Sequence, residues 1–237
     1  MLPFAPALAF PRKARRPRPL PMTPRLALFD FDGTLADSYP LFADALNELA
    51  ARHGFRHTDA DTQQRLRGLS ATEVLRELAL PLWKVPAVLG DARKLMRERI
   101  DEVAPFAGIV ETLHALIDRG VAVAVATSNS PENVRAVLGD SLIARFAAIE
   151  CSSSLFGKSH RLRGILRKTG IPAEQAIYVG DEIRDAEAAR GVGLAYGAVA
   201  WGYTQLEALL GTRPQAVFRV PADLLSLAGP IEGAGHG

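Results

Sequence analysis

Leu26-Ala27-Leu28-Phe29-Asp30-Phe31-Asp32-Gly33-Thr34-Leu35 is the stretch that decides the fold: four apolar residues, two aspartates one residue apart, then glycine and threonine. An apolar run without alternation is the pattern of a strand covered on both faces. Along extended backbone, Asp30 and Asp32 point to one side while Phe31 turns towards packing. Two carboxylates held together repel and shift each other's pKa. A site that keeps such a pair uses a cation or gives the two different protonation states. Gly33 permits a turn that a side chain would obstruct. An Asp-x-Asp turn alone is common after strands; the full string at a strand end points to chemistry.

The same pattern recurs further along the chain. Val121–Ala126 runs into Thr127, and Ala176–Val179 runs into Gly180 and Asp181. Phe146–Ile149, Leu194–Ala200 and Ala216–Val220 are weaker strand candidates. Amphipathic stretches at Ile109–Arg119, Pro131–Leu138, His160–Thr169 and Ile183–Arg190 predict helices between them. The order predicts an α/β fold, a Rossmann-like doubly wound parallel sheet whose ligands gather beyond the carboxyl ends of its strands. Residues 38–104 differ. They show helical spacing at Leu41, Phe42, Ala45, Leu46 and Leu49, again at Val74, Leu75 and Leu78, and across Val88–Ile100, with no strand-like run. They are expected to form a smaller all-helical domain standing over the sheet as a lid, closed by the Pro105-Phe106-Ala107-Gly108 break. The core is then 25–37 and 105–225, with a flexible tail at 226–237.

Of 237 residues, 48% are hydrophobic and 23% charged, enough for a buried core and too apolar for general disorder. The net charge of +2 is unevenly spread. Residues 1–24 hold Arg12, Lys13, Arg15, Arg16 and Arg18, seven prolines and no acid, leaving 23 basic against 26 acidic residues elsewhere, a balance of −3. The folded part therefore offers no basic surface for nucleic acid. The leader is apolar before it is basic, the reverse of a secretory signal. It is expected to be an extended tail or to lie upstream of a true start at Met22. No apolar run approaches the roughly 20 residues of a membrane span. The single cysteine, Cys151, excludes internal disulfides and suits a reducing, cytoplasmic compartment. The five histidines show no ligand spacing.

Taken together, the motifs resemble the haloacid dehalogenase-like hydrolase superfamily over roughly Leu26 to Leu210. Asp30-Phe31-Asp32-Gly33-Thr34 matches its first motif. Thr127-Ser128-Asn129 after Val123–Ala126 matches the second, Phe156-Gly157-Lys158 the third, and Gly180-Asp181-Glu182-Ile183-Arg184-Asp185 the fourth. Ser159 stands where many relatives carry proline after the lysine, which leaves Lys168 as a competing basic residue. The insert after the first motif resembles the cap of phosphoglycolate phosphatases and related small phosphatases.

The resemblance implies a nucleophile at Asp30 that becomes an aspartyl phosphate, and an acid–base at Asp32. It implies Mg2+ held by the Asp30 and Asp181 carboxylates and the Asp32 main-chain carbonyl, with Asp185 orienting water or Lys158 from behind. Gly33, Thr127, Ser128 and Lys158 would bind the phosphoryl oxygens. An acid at position 32 suits alcohol leaving groups, so a phosphatase acting on a small phosphorylated metabolite is expected. Arg65 and Arg67 are the cap residues expected to reach the substrate, where a guanidinium would pair with a carboxylate such as that of phosphoglycolate. Sugar-phosphate or nucleotide phosphatase, phosphomutase, and a non-catalytic module binding a phospho-metabolite or a protein are the alternatives. Oligomeric state is unreadable.

Overall fold

Four residues of the first apolar run, Leu26–Phe29, form strand β1 at the centre of a six-stranded parallel sheet. The structure, a computed structural model, describes residues 23–69, 71–151 and 157–229. The expectations for the leader up to Met22 and for the last eight residues lie outside them.

The sheet runs β3-β2-β1-β4-β5-β6, with β2 Ala122–Thr127, β3 Ala148–Cys151, β4 Ala176–Gly180, β5 Ala195–Val199 and β6 Ala216–Phe218. Chain order reverses at β1, so β1 is flanked by β2 and β4 with Phe29 level with Val125 and Val179. This is the switch point at which such sheets hold ligands. The strand residues divide by parity. Ala27, Phe29, Val123, Val125, Ile177 and Val179 pack into one cluster with helix α5 (Ile109–Asp118), while Leu26, Leu28, Ala124, Ala126, Ala176 and Tyr178 pack into another with later helices. Burial on both faces explains why these strands show no alternation.

Between β1 and α5 lie only helices: α1 Tyr39–His53, α2 Ala60–Leu66, α3 Ala71–Glu77 and α4 Val85–Glu98, with short 3-10 turns. They bury a cluster of their own, built on Leu46, Leu49, Leu66, Leu78, Val88 and Leu95. At the far end the chain stays packed past 225. The 3-10 stretch Pro221–Ala228 buries Leu224 and Leu227 in the sheet's cluster, so residues 226–228 are core and not tail. The third strand also departs from expectation. Phe146 ends the turn after α7 (Asp140–Ile143) and packs at the core's edge, and β3 begins two residues later, at Ala148. No helix among the described residues is long and apolar enough to cross a membrane.

Candidate active site

The carboxyl ends of β1, β2 and β4, with the start of the helix after β3, bring the sequence motifs together. Asp30 follows β1 and is fixed there by its amide, which donates to the Val179 carbonyl at 2.9 Å. Asp181 follows β4. Lys158 is the first residue of α8 (Lys158–Thr169), and Asp185 lies in the first turn of α9 (Ile183–Val192). All four are buried.

Lys158 sits between two carboxylates, donating to Asp30 Oδ2 at 2.6 Å and to Asp185 Oδ1. A cation at a helix N-terminus opposes the helix dipole, so the acidic pair holds it there. Burial works against its charge, but Asp185 and Asp30 outweigh burial and push its pKa up. Lys168, the competing residue, is exposed and pairs with Glu150 at 2.7 Å. Phe156 of the third motif lies outside the described residues.

Asp181 is gripped on both oxygens. Thr34 Oγ1 donates to one at 2.7 Å and the Tyr203 amide to the other at 2.8 Å. Gly33 has φ +75°, and a Cβ there would lie 2.3 Å from Asp181 Oδ2; one on Gly202 would lie 2.1 Å from Asp181 Cβ. Two glycines therefore let backbone close around this carboxylate from both sides. Gly33 thus shapes the turn that houses Asp181.

Asp32 has a separate environment. Ser38 Oγ donates to it at 3.0 Å, and Asn129 Nδ2 to both oxygens at 3.3 Å. Asn133 in turn holds Asn129 by a 2.6 Å bond, and the Tyr203 hydroxyl lies 2.8 Å from Ser38 Oγ. Burial and the charge of Asp30 raise the Asp32 carboxyl to about 6, against the bonds from Ser38 and Asn129. The two aspartates thus differ in surroundings, Asp30 paired with a buried lysine and Asp32 held by a serine and an asparagine.

Oxygens of Asp30, Asp181 and Asp185 all lie within 4.8 Å of one another. Burial, then Glu182, Asp185 and Asp30, push Asp181 well above the usual carboxylate range. A hard, all-oxygen donor set of this kind fits a divalent cation such as Mg2+. Asp185 thus stands within the carboxylate group itself. It also accepts from the Tyr178 hydroxyl at 3.1 Å and from the Glu182 amide at 2.9 Å, which caps α9 and fixes its direction.

The remaining expected residues divide between the cavity and the structure around it. Ser128 borders a small cavity with Asp30, Asp32, Lys158, Arg161 and Arg184. Thr127 is fully buried, its register fixed by pairing with Cys151, and its Oγ1 accepts from the Asn129 amide at 2.9 Å; it shapes the loop from below. Arg65 is exposed and donates to Thr62 on its own helix. Arg67 donates to the Gly202 and Tyr203 carbonyls at 2.8 and 2.9 Å and to Gln64, with its guanidinium 4.7 Å above the Tyr39 ring. Two of these bonds join the end of α2 to the loop behind Asp181, so in this structure Arg67 acts as a latch. Burial pushes the Cys151 thiol up to about 11, with Glu132 adding to it, which removes any thiolate chemistry near neutral pH. Sequence reasoning missed Ser38, Tyr203, Arg161 and Arg184, and gave Asn129 no role beyond its place in the second motif.

This arrangement has known counterparts. The haloacid dehalogenase-like hydrolase family model matches residues 27–199. Phosphoglycolate phosphatase of Synechococcus elongatus is 31% identical over 199 residues, 84% of this chain and 94% of that protein. That of Agrobacterium fabrum is 34% identical over 198 residues, covering 78% and 84%. Among solved structures, CbbY from Rhodobacter sphaeroides in complex with phosphate superposes with a TM-score of 0.65 at 25% identity, covering 85% and 96%. The chain belongs to the haloacid dehalogenase-like hydrolase family, among its phosphatases.

Proposed function

We propose that this chain is a Mg2+-dependent phosphomonoester hydrolase of the cytoplasm that works through an aspartyl phosphate on Asp30. The observation that carries the reading is the Asp30 carboxylate in a cavity with Asp32, Ser128 and Lys158, its oxygen 2.6 Å from the Lys158 ammonium. Similarity to phosphoglycolate phosphatases makes 2-phosphoglycolate the foremost substrate. The likeness to CbbY, also solved with xylulose-(1,5)-bisphosphate, supports a sugar phosphate as the second reading.

In this mechanism Asp30 attacks phosphorus, forming a P–O bond to its carboxylate as the ester P–O bond breaks. Asp32, whose pKa of about 6 lets it carry a proton close to neutrality, protonates the departing alkoxide. It then takes a proton from the water that cleaves the acyl phosphate and releases inorganic phosphate. Lys158 and Ser128 hold the phosphoryl oxygens, an interaction that strengthens as charge develops. Asp30 and Asp181, with the Asp32 carbonyl and Asp185 beside them, would hold Mg2+, which when bound screens the phosphate dianion from the acids. The helices between 38 and 104 serve as a cap that closes the site to bulk water.

A phosphate-release screen over small phosphorylated metabolites, 2-phosphoglycolate included, tests the reading. Turnover in Mg2+ that EDTA abolishes is expected. Equal turnover in EDTA, or none with any phosphomonoester, contradicts it.

A further inference from the structure

The cavity around Asp30 is small, about 20 Å3, and its walls are polar or charged. Space on that scale holds one or two water-sized groups, so the bulk of any substrate lies outside it. Ser128 also borders a second cavity, of about 220 Å3. Asn129, Ser130, Pro131 and Cys151 line the larger space together with Arg93 and Arg97 of α4.

The placement of these arginines follows from α4. Val88 and Leu95 bury one face of the helix among the other inserted helices, while Met96 and, just beyond the helix, Ile100 pack against the sheet's own cluster. That contact brings the end of α4 down onto the core. Arg93 and Arg97, one helical turn apart, thereby face the loop that carries Asn129, which binds Asp32. No carboxylate among the described residues lines this space. Two guanidiniums sharing a cavity with hydroxyl and amide groups make a receptor for a planar or tetrahedral oxyanion.

We propose that Arg93 and Arg97 form an anion subsite that selects phosphomonoesters carrying a second anionic group, carboxylate or phosphate, at the far end of the molecule. The proposal rests on the phosphatase reading and deepens it. It moves recognition of that group from Arg65 and Arg67, which sequence position favoured, to a helix that only the fold brings to the site.

Binding to the full chain carrying Asp30→Asn, measured by titration calorimetry in Mg2+, tests the subsite without turnover. The probes are matched pairs: 2-phosphoglycolate against ethyl phosphate, and 1,3-propanediol bisphosphate against propyl phosphate. In the pair that fits, the second anion should tighten binding at least about tenfold. Adding Arg93→Gln with Arg97→Gln should collapse that ratio to about one, and Arg97→Lys should retain part of it. Arg97 is exposed, so Arg97→Gln alone keeps the test open if the double variant misfolds. The pair with the larger ratio identifies carboxylate or phosphate as the group read. A ratio near one before the arginines are changed, or one that survives their loss, overturns the proposal. The same ratio found in a chain that hydrolyses no ester would retire the phosphatase reading and leave the subsite standing.

Discussion

Lys158 shows how closely stability and chemistry are joined at single residues. Its ammonium lies between Asp30 and Asp185, both almost wholly buried, and replacing it removes the one cation bonded to both carboxylates among the described residues. Removing one partner of a buried ion pair typically costs about 3–5 kcal/mol. Lys158→Met should therefore lower the unfolding free energy by about that much in EDTA, measured by urea denaturation. Part of the loss should return when Mg2+ is added, since a cation bound only by the folded state stabilises it. A loss below about 1 kcal/mol would show that Lys158 does not offset the acids. Residues such as Asp30, Asp32, Asp181 and Lys158 were legible because their types and strand-end positions are unusual together. Ser38 and Tyr203 were not: a serine before a helix reads as a cap, and a tyrosine in a loop reads as packing. Only folding brings the Tyr203 hydroxyl to Ser38 and its amide to Asp181.

At the scale of elements, the central strands were readable because burial on both faces leaves an unbroken apolar run. β3 is only partly buried and its start was misplaced by two residues, since Phe146 has strand character yet packs just before the strand. The inserted helices were readable as helices, but not which way each faces, so the sequence alone did not show that α4 brings Arg93 and Arg97 to the Asn129 loop. Their boundaries follow ordinary capping. Asp59 caps α2 by accepting from the Thr62 amide at 2.8 Å. The Thr62 bonds hold the Asp59 carboxyl below its usual range. A depressed carboxyl stabilises the fold fully above its unfolded pKa and loses that contribution as pH falls through the folded one. Asp59→Ala should thus lower the thermal midpoint at pH 7, and the gap from the unaltered chain should close as pH drops below about 3.9. A gap that stays constant into acid would mean that the charged cap contributes nothing.

Across the whole molecule, two apolar clusters on the sheet and one among the inserted helices make units joined by few polar links. Arg67 is the most concentrated of these, tying α2 and Tyr39 to the Gly202–Tyr203 backbone. The loop it holds is the one whose amide grips Asp181. Arg67→Ala should destabilise the protein by about 2–3 kcal/mol, the usual worth of hydrogen bonds from a charged donor. Hydrogen exchange at the Tyr203 amide should quicken and Mg2+ binding should weaken in the same variant. Exchange as slow as in the unaltered chain would contradict the coupling of helices to site. The layered architecture itself could be read from the order of apolar runs; this link could not, because nothing in the sequence marks an arginine whose partners are main-chain carbonyls some 135 residues away.

In the proposed mechanism Asp30 is the attacking group, and its replacement by asparagine is the most direct measurement. Asp30→Asn preserves shape but removes the nucleophilic charge, so hydrolysis of p-nitrophenyl phosphate in Mg2+ should fall by at least about a thousandfold, while the circular dichroism spectrum stays that of the folded chain. Turnover within a few-fold of the unaltered protein, with folding intact, would show that phosphorus is attacked by some other group.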